Sequence, residues 1–416
     1  LARALTAVGL AFALPRLILI PFAGAYADRH NRKIIMMIGD AANGVLSLIL
    51  AAMVINHTLQ LPLLIGLLVL HSIFAVFQQT AFDASYTMIV PESKLPRANG
   101  MMQTTGSLSG IISPSIAAAI IALPALLRQS GVTGGVAELK DGSALAMLID
   151  AVSFFIAAGA LLFLTLPSPV RTDLRAAEGQ RPKSLWADVK EGAHYIWDRR
   201  PMLWLLGTFA VLNFLTAPIF GVFMTLLLKI DLAPDWTARG MTFEVALATL
   251  ATISSVGGLI GGLSISTWGG LKKKRVFGVL IPILLSSLAT IGFGLSTGLY
   301  TAAVMIFIST AMVPIMNSHS QTIWQVQTPR EMQGRVFSVR RLIAQFTAPI
   351  GVALIGPIGG NFDPGAVIVG LGVVLLIFSL IQLFNPNMLR VEDKEWLDTL
   401  AAEREARRSG NVLRDA

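Results

Sequence analysis

Long apolar runs alternate with short charged turns along almost the whole chain. A run of about twenty apolar residues matches the thickness of a bilayer's hydrocarbon core when coiled as a helix. Read this way, spans are expected at 4–26, 34–55, 61–89, 100–127, 142–166, 201–229, 244–268, 276–297, 299–325, 342–360 and 365–385. The runs are continuous and do not alternate residue by residue, which argues for helices over strands. Backbone polar groups in lipid must be satisfied within the segment, and a helix does this. Ser296-Thr297-Gly298 supplies the turn that divides one overlong run in two.

Composition agrees. Of 416 residues, 54% are hydrophobic and 13% charged, with a mean hydropathy of +0.69; a soluble domain carries about 25% charged residues. The expected fold class is an all-α polytopic membrane protein.

The net charge of +8 is unevenly placed. If loops alternate sides, 26 of the 32 Lys and Arg fall on one side. They stand in the turns after Asp28, around Lys94, between 171 and 200, at Lys272–Arg275, over Arg330–Arg341, and after Leu389. Positive loops stay cytoplasmic, so the tail is expected inside. The charge is spread over six loops instead of one patch, which speaks against a nucleic-acid partner. Eleven spans place the first residue outside. The chain begins at Leu1, so one upstream helix is expected to be missing; the alternative is a true eleven-helix protein. No signal peptide is visible, and the absence of Cys leaves the redox compartment unread.

Four regions follow: a bundle at 1–166, a polar linker at 167–200, a bundle of six spans at 201–385, and a charged tail at 386–416. Within the linker, Leu185, Trp186, Val189, Ala193, Ile196 and Trp197 recur at helical spacing among Asp188, Lys190, Glu191 and Arg199. This reads either as an amphipathic helix on the membrane surface with Trp at headgroup level or as a soluble linker helix. The two halves look like repeats: Tyr86, Pro91 and Arg97 are matched by Trp324, Pro329 and Arg335, each 238 residues on. Repeats of this kind predict two pseudo-symmetric helical bundles around a central cavity.

The turn between the first two spans carries Gly24-Ala-Tyr-Ala-Asp28-Arg29, then Asn31-Arg32-Lys33. Pro15-Arg16 precedes it. Ser85-Tyr86-Thr87 leads to Val90-Pro91 and Arg97-Ala98-Asn99-Gly100; Ile323-Trp324-Gln325 leads to Pro329 and Gln333-Gly334-Arg335-Val336-Phe337-Ser338. Together these stretches resemble major facilitator transporters, and within them the macrolide-efflux and enterobactin-exporter branch. The resemblance implies two six-helix bundles, alternating access, and export of bulky amphipathic compounds, with protons as the coupling ion. It also implies that Gly24, Asp28, Arg29, Arg32 and Lys33 form a latch of the outward-open state, and that Trp324, Gln325, Gly334 and Arg335 are its second-half motif.

Physically, Asp28 can accept bonds from a helix N-terminus, and Arg29 and Arg32 can pair with acids at nearby helix ends, Glu92 and Asp83 being local candidates. The second half has Trp268-Gly269-Gly270-Leu271 where the first has its acid, so only the first half can make the full latch. Gly106, Gly110, Ser113 and Pro114 loosely resemble an antiporter motif but lack Gly before the Pro; simple helix packing accounts for them equally well. Gly257-Gly258 and Gly261-Gly262 read as packing faces.

Charges inside spans are costly, about 2.5–3.5 kcal/mol at a helix centre on insertion scales. Arg16 lies about 18 Å from the end of its span at 1.5 Å per residue, and is the first candidate for substrate binding or coupling. Asp40, Asp83 and Asp150 are further candidates, as proton carriers, partners of Arg16 or structural pairs. His71, Gln78, Gln79, Asn213, Asn317, His319, Gln321, Gln325 and Gln345 add polar positions. No phosphate-binding loop, metal-spaced cluster or activated nucleophile is present in the sequence, so no enzyme, metal or cofactor is expected. The expected partners are an amphipathic small molecule, protons and membrane lipid, the chain acting as a monomer. Import of a small polar solute, or a non-transporting membrane sensor, stands as the alternative.

Overall fold

The computed structural model describes residues 2–166, 184–356 and 362–412. The linker residues 167–183, the end of the expected span 342–360, and the tail beyond 412 lie outside the described residues. Among those described, ten helices are long and apolar enough to cross a membrane. They are α2 (Arg32–Ile55), α3 (Leu61–Ile89), α4 (Leu95–Gln129), α5 (Ser143–Leu162), α7 (Arg200–Lys229), α9 (Phe243–Trp268), α10 (Phe277–Gly294), α11 (Leu299–Gln327), α12 (Gln333–Ile355) and α13 (Pro364–Leu383). Helix α1 (Ala2–Arg29) precedes them and carries the first expected span. Shorter or polar helices are α6 (Leu185–Asp198), α8 (Ala233–Ala238), α14 (Pro386–Leu389) and α15 (Lys394–Val412). Large apolar side chains such as Ile156, Leu354 and Phe384 face outward. A membrane protein's lipid-facing surface looks like this; a soluble monomer's does not.

Two boundaries correct the sequence reading. Helix α12 begins at Gln333, not at 342. Arg335, Arg340 and Arg341, read as loop residues, therefore stand in the helix. Charged residues depress a hydropathy pattern but do not stop a helix from forming. The span at 201–229 is not a uniform α-helix: it widens into a π turn at Ile219–Phe223 directly after Pro218. A proline removes one helical N–H, and a π turn is one way to re-register the bonds around it.

The internal repeat is visible in the helix boundaries. Helices α3 and α11 are each 29 residues long. Each is followed by a 3₁₀ turn, Glu92–Lys94 in one case and Arg330–Met332 in the other. Helices α4 and α12 follow at once. All of these starts keep the 238-residue offset.

The chain forms two compact units. The first comprises Leu1–Ile89, Ile112–Gly192 and Arg330–Val339; the second comprises Val90–Ile111, Ala193–Pro329 and Arg340–Ala416. Each unit thus takes in one short segment from the opposite half of the sequence.

In the first unit α2 packs between α3 and α5, and α1 packs on α3. Gly39 lies against Gln78, and Gly44 against the Phe155 ring. Ala27, Ile35, Met36, Ala81 and Leu161 form an apolar core beside the charged turn. In the second unit the glycines of α9 serve two neighbours. Gly257 and Gly261 meet the α11 backbone at Phe307 and Ala311, while Gly258 and Gly262 meet Ser107 and Thr104 of α4. By contrast Gly106 and Gly110 have no close neighbour, so they are not part of a tight helix contact here. The helix continues through Pro114, whose side chain lies outside the described residues.

Candidate functional site

The site is built where α1 ends. Asn31 caps α2, its side chain accepting from the N–H groups of Lys33 and Ile34, so the chain reverses within two residues of Arg29. That leaves Asp28 on the last turn of α1, 3% exposed. Its Oδ1 accepts the Gly334 N–H at 2.9 Å and its Oδ2 the Arg335 N–H at 3.0 Å. Both donors lie in the first turn of α12. Such N–H groups have no partner within the helix, and the helix dipole makes that end positive. The carboxylate therefore caps a helix 306 residues away in sequence.

Glycine makes the approach possible. A Cβ on Gly24 would fall on the Ser338 hydroxyl and the Gly334 carbonyl, and one on Gly334 would fall on Asp28 and the Gly24 carbonyl. Arg32 completes the cap: its Nη2 donates to Asp28 Oδ1 at 3.0 Å and its Nη1 to the Ala84 carbonyl at 2.7 Å. Arg32 is fully buried. Lys33 points elsewhere, donating to the Leu162 carbonyl at the end of α5.

A second layer comes from the linker. Arg29 Nε donates to Asp188 Oδ2 at 2.6 Å. Arg335 reaches Glu191 at 2.7 Å, Asp188 at 3.7 Å and Asp28 at 3.9 Å. Three guanidinium groups thus face three carboxylates. This balance is what allows so much charge to be withdrawn from water, because a buried charge without a partner is strongly destabilising. The partner acids of Arg29 and Arg32 in this cluster are Asp188 and Asp28, which corrects the expectation of Glu92 and Asp83. Glu92 is exposed, and Asp83 accepts from Gln79 at 2.9 Å.

Helical spacing in α6 assigned Asp188 and Glu191 to the water-facing side, which is why sequence reasoning missed them. In the structure the buried positions of α6 are Asp188, Val189, Gly192, Tyr195 and Ile196, while Trp186 and Trp197 are about half exposed.

The second-half turn is built without an acid. Gly269 and Gly270 take positive φ, and a Cβ on Gly270 would meet the His319 ring. His319 Nε2 accepts the Leu271 N–H at 2.9 Å while Nδ1 lies 2.8 Å from the Ile315 carbonyl. A carbonyl only accepts, so the proton is on Nδ1 and the ring is neutral. Arg275 pairs with Glu392 at 3.8 Å, and burial pushes the Glu392 carboxyl above its ordinary range. Asn99 of α4 donates to Thr322 and Gln325 of α11 at 3.0 and 2.9 Å. Trp324 is fully buried, with the Arg340 guanidinium over its ring at 5.1 Å. Arg340 also donates to Gln321 at 2.5 Å.

The in-span candidates are not brought together. Arg16 is half-buried and makes no hydrogen bond or ion pair among the described residues. Asp40 is buried and held by Gln78. Asp150 is exposed and accepts from Ser47 at 2.6 Å. Arg340, a cation inside α12 with no acid partner among the described residues, is a candidate that the sequence reading left in a loop.

Comparison with known proteins decides the family. The model of the Major Facilitator Superfamily matches residues 2–352. The chain belongs to the major facilitator superfamily. Macrolide efflux protein A of Enterococcus faecalis is 26% identical over 82% of this chain and 96% of its own length. The multidrug efflux pump Tap of Mycolicibacterium fortuitum is 25% identical over 92% of this chain and 88% of its own. The enterobactin exporter EntS of Shigella flexneri is 27% identical over 86% and 77%. Among solved structures, the E. coli fucose:proton symporter FucP shares the fold with a TM-score of 0.63 at 14% identity, over 91% of this chain and 92% of that one. This major facilitator chain is an integral membrane protein of a transporter family.

Proposed function

We propose that this chain exports bulky amphipathic compounds across the cytoplasmic membrane by alternating access, with protons as the coupling ion. The efflux relatives support the substrate class. The observation that carries the mechanism is Asp28 capping the first turn of α12. A helix end from the first half of the sequence is held to one from the second half by hydrogen bonds and charge, with an approach fitted by glycines. Such a contact is favourable when closed and dry. When opened, water can take over its donors and acceptors, so it suits a two-state switch.

In this reading 1–166 and 201–385 act as the two moving bundles, joined by 167–200, and the basic loops and the 386–416 tail lie in the cytoplasm. Asp28, Arg29, Arg32, Gly334 and Arg335 set the switch. Arg16 and Arg340 are the cations available to substrate or to a coupling carboxylate. The test is counterflow of a labelled macrolide in proteoliposomes of the purified chain, with and without a pH gradient. Gradient-dependent accumulation supports the proposal; no flux above empty liposomes, with correctly inserted protein, refutes it.

A further inference from the structure

A second feature of the molecule lies in the second compact unit. Helix α7 begins at Arg200, and α13 ends at Leu383 beside α14 and α15. Between the end of α6, the start of α7, α14 and α15 lies a groove of about 570 Å³ lined by Trp197, Arg200, Leu203, Trp204, Asn387 and Arg404. The lining holds two guanidinium groups and no carboxylate.

One acid of the tail is already used. Asp398 pairs with Arg199 at 3.0 Å, which fastens α15 to the start of α7. Arg404 fixes the same corner by donating one N–H to the Trp197 carbonyl. A guanidinium has five donors in a planar fork, so most of Arg404 is left over, and Arg200 has no ion partner among the described residues. Trp204 lines the groove and is 42% exposed, and α13, which packs on α7, ends with Ile381 and Phe384 at 60% and 81% exposed. Tryptophan gathers at the level where hydrocarbon meets headgroups, and arginine forks match phosphate oxygens bidentately.

We infer that this groove binds the phosphate of an anionic phospholipid, seated between Arg200 and Arg404, with its acyl chains against Trp204 and the end of α13. A free phosphate offers the same headgroup chemistry but nothing for the apolar edge to cover.

The experiment uses the full chain in nanodiscs made from equal amounts of phosphatidylglycerol and phosphatidylcholine, and reads the retained lipid by native mass spectrometry. The parent should be enriched in phosphatidylglycerol. Arg200→Gln should reduce that enrichment about fivefold, the scale expected for one basic residue at an anionic surface. Arg200→Gln with Arg404→Gln should abolish it. Lys272→Gln with Lys273→Gln, in a different basic loop, should leave it unchanged. Since Arg200 has no ion partner among the described residues, the single variant keeps the test valid if the double variant loses the docking of α15. Undiminished enrichment in Arg200→Gln overturns the inference, as does an equal loss in the Lys272/Lys273 variant. Displacement of the lipid by millimolar inorganic phosphate would make this a soluble-anion site and overturn the lipid assignment.

Discussion

Asp188 and Glu191 stand three residues apart on α6 and both reach Arg335, yet they carry different weights. Asp188 is fully buried and also holds Arg29. Its replacement by Asn leaves two guanidinium groups short of charge in a dry place, a change that costs about 3–5 kcal/mol. Glu191 is 40% exposed at its side chain, and an ion pair so wetted contributes about 1 kcal/mol or less. Thermal unfolding of the detergent-solubilised chain should therefore show a large loss for Asp188→Asn and a small one for Glu191→Gln; equal losses would mean that α6 is not fastened through Asp188. Arg16 gives a second residue-scale prediction. It has no structural partner among the described residues, so Arg16→Leu should insert and fold at parental yield and fail to transport. Parental transport by that variant would remove Arg16 from the functional site.

At the scale of elements, two helix contacts are each fitted by a glycine. Helix α1 approaches the first turns of α12 at Gly24, and α9 approaches the third turn of α4 at Gly262, where Thr104 is the neighbour. Only the first contact contains a carboxylate. Gly24→Val should force α1 and α12 apart, because besides the Ser338 hydroxyl the obstruction is the Gly334 backbone, which cannot turn away as a side chain can. Gly106→Val, with nothing within 4 Å, should change neither folding yield nor stability. Similar effects of both would contradict the packing described.

Much of this level was legible beforehand. The 238-residue offset, seen in three residue pairs, proved to be an offset of whole helices, because Pro91 and Pro329 each close a 29-residue helix and open a 3₁₀ turn. Asp28 could be singled out because an acid at the end of an apolar span must find a donor. Its linker partners could not. Nothing local tells α6 to turn Asp188 toward Arg29, 159 residues away; helical periodicity alone ranks that residue as solvent-facing. Arg340 was misplaced for a related reason, since hydropathy counts a charge against a span and cannot see the Gln321 amide and Trp324 ring that receive it.

On the scale of the whole molecule, one contact joins parts of the chain that are distant in sequence. Two N–H bonds and one guanidinium converge on the Asp28 carboxylate, and hydrogen bonds to a charged group are each worth about 1.5–3 kcal/mol. Losing one such bond shifts a two-state equilibrium about tenfold or more, without touching a substrate site elsewhere. The most direct measurement is Asp28→Asn in proteoliposomes, with transport rate and equilibrium macrolide binding taken on the same preparation. The account predicts a transport rate reduced about tenfold or more with binding within about twofold of the parent. Parental transport, or loss of binding in a folded and inserted variant, would contradict it.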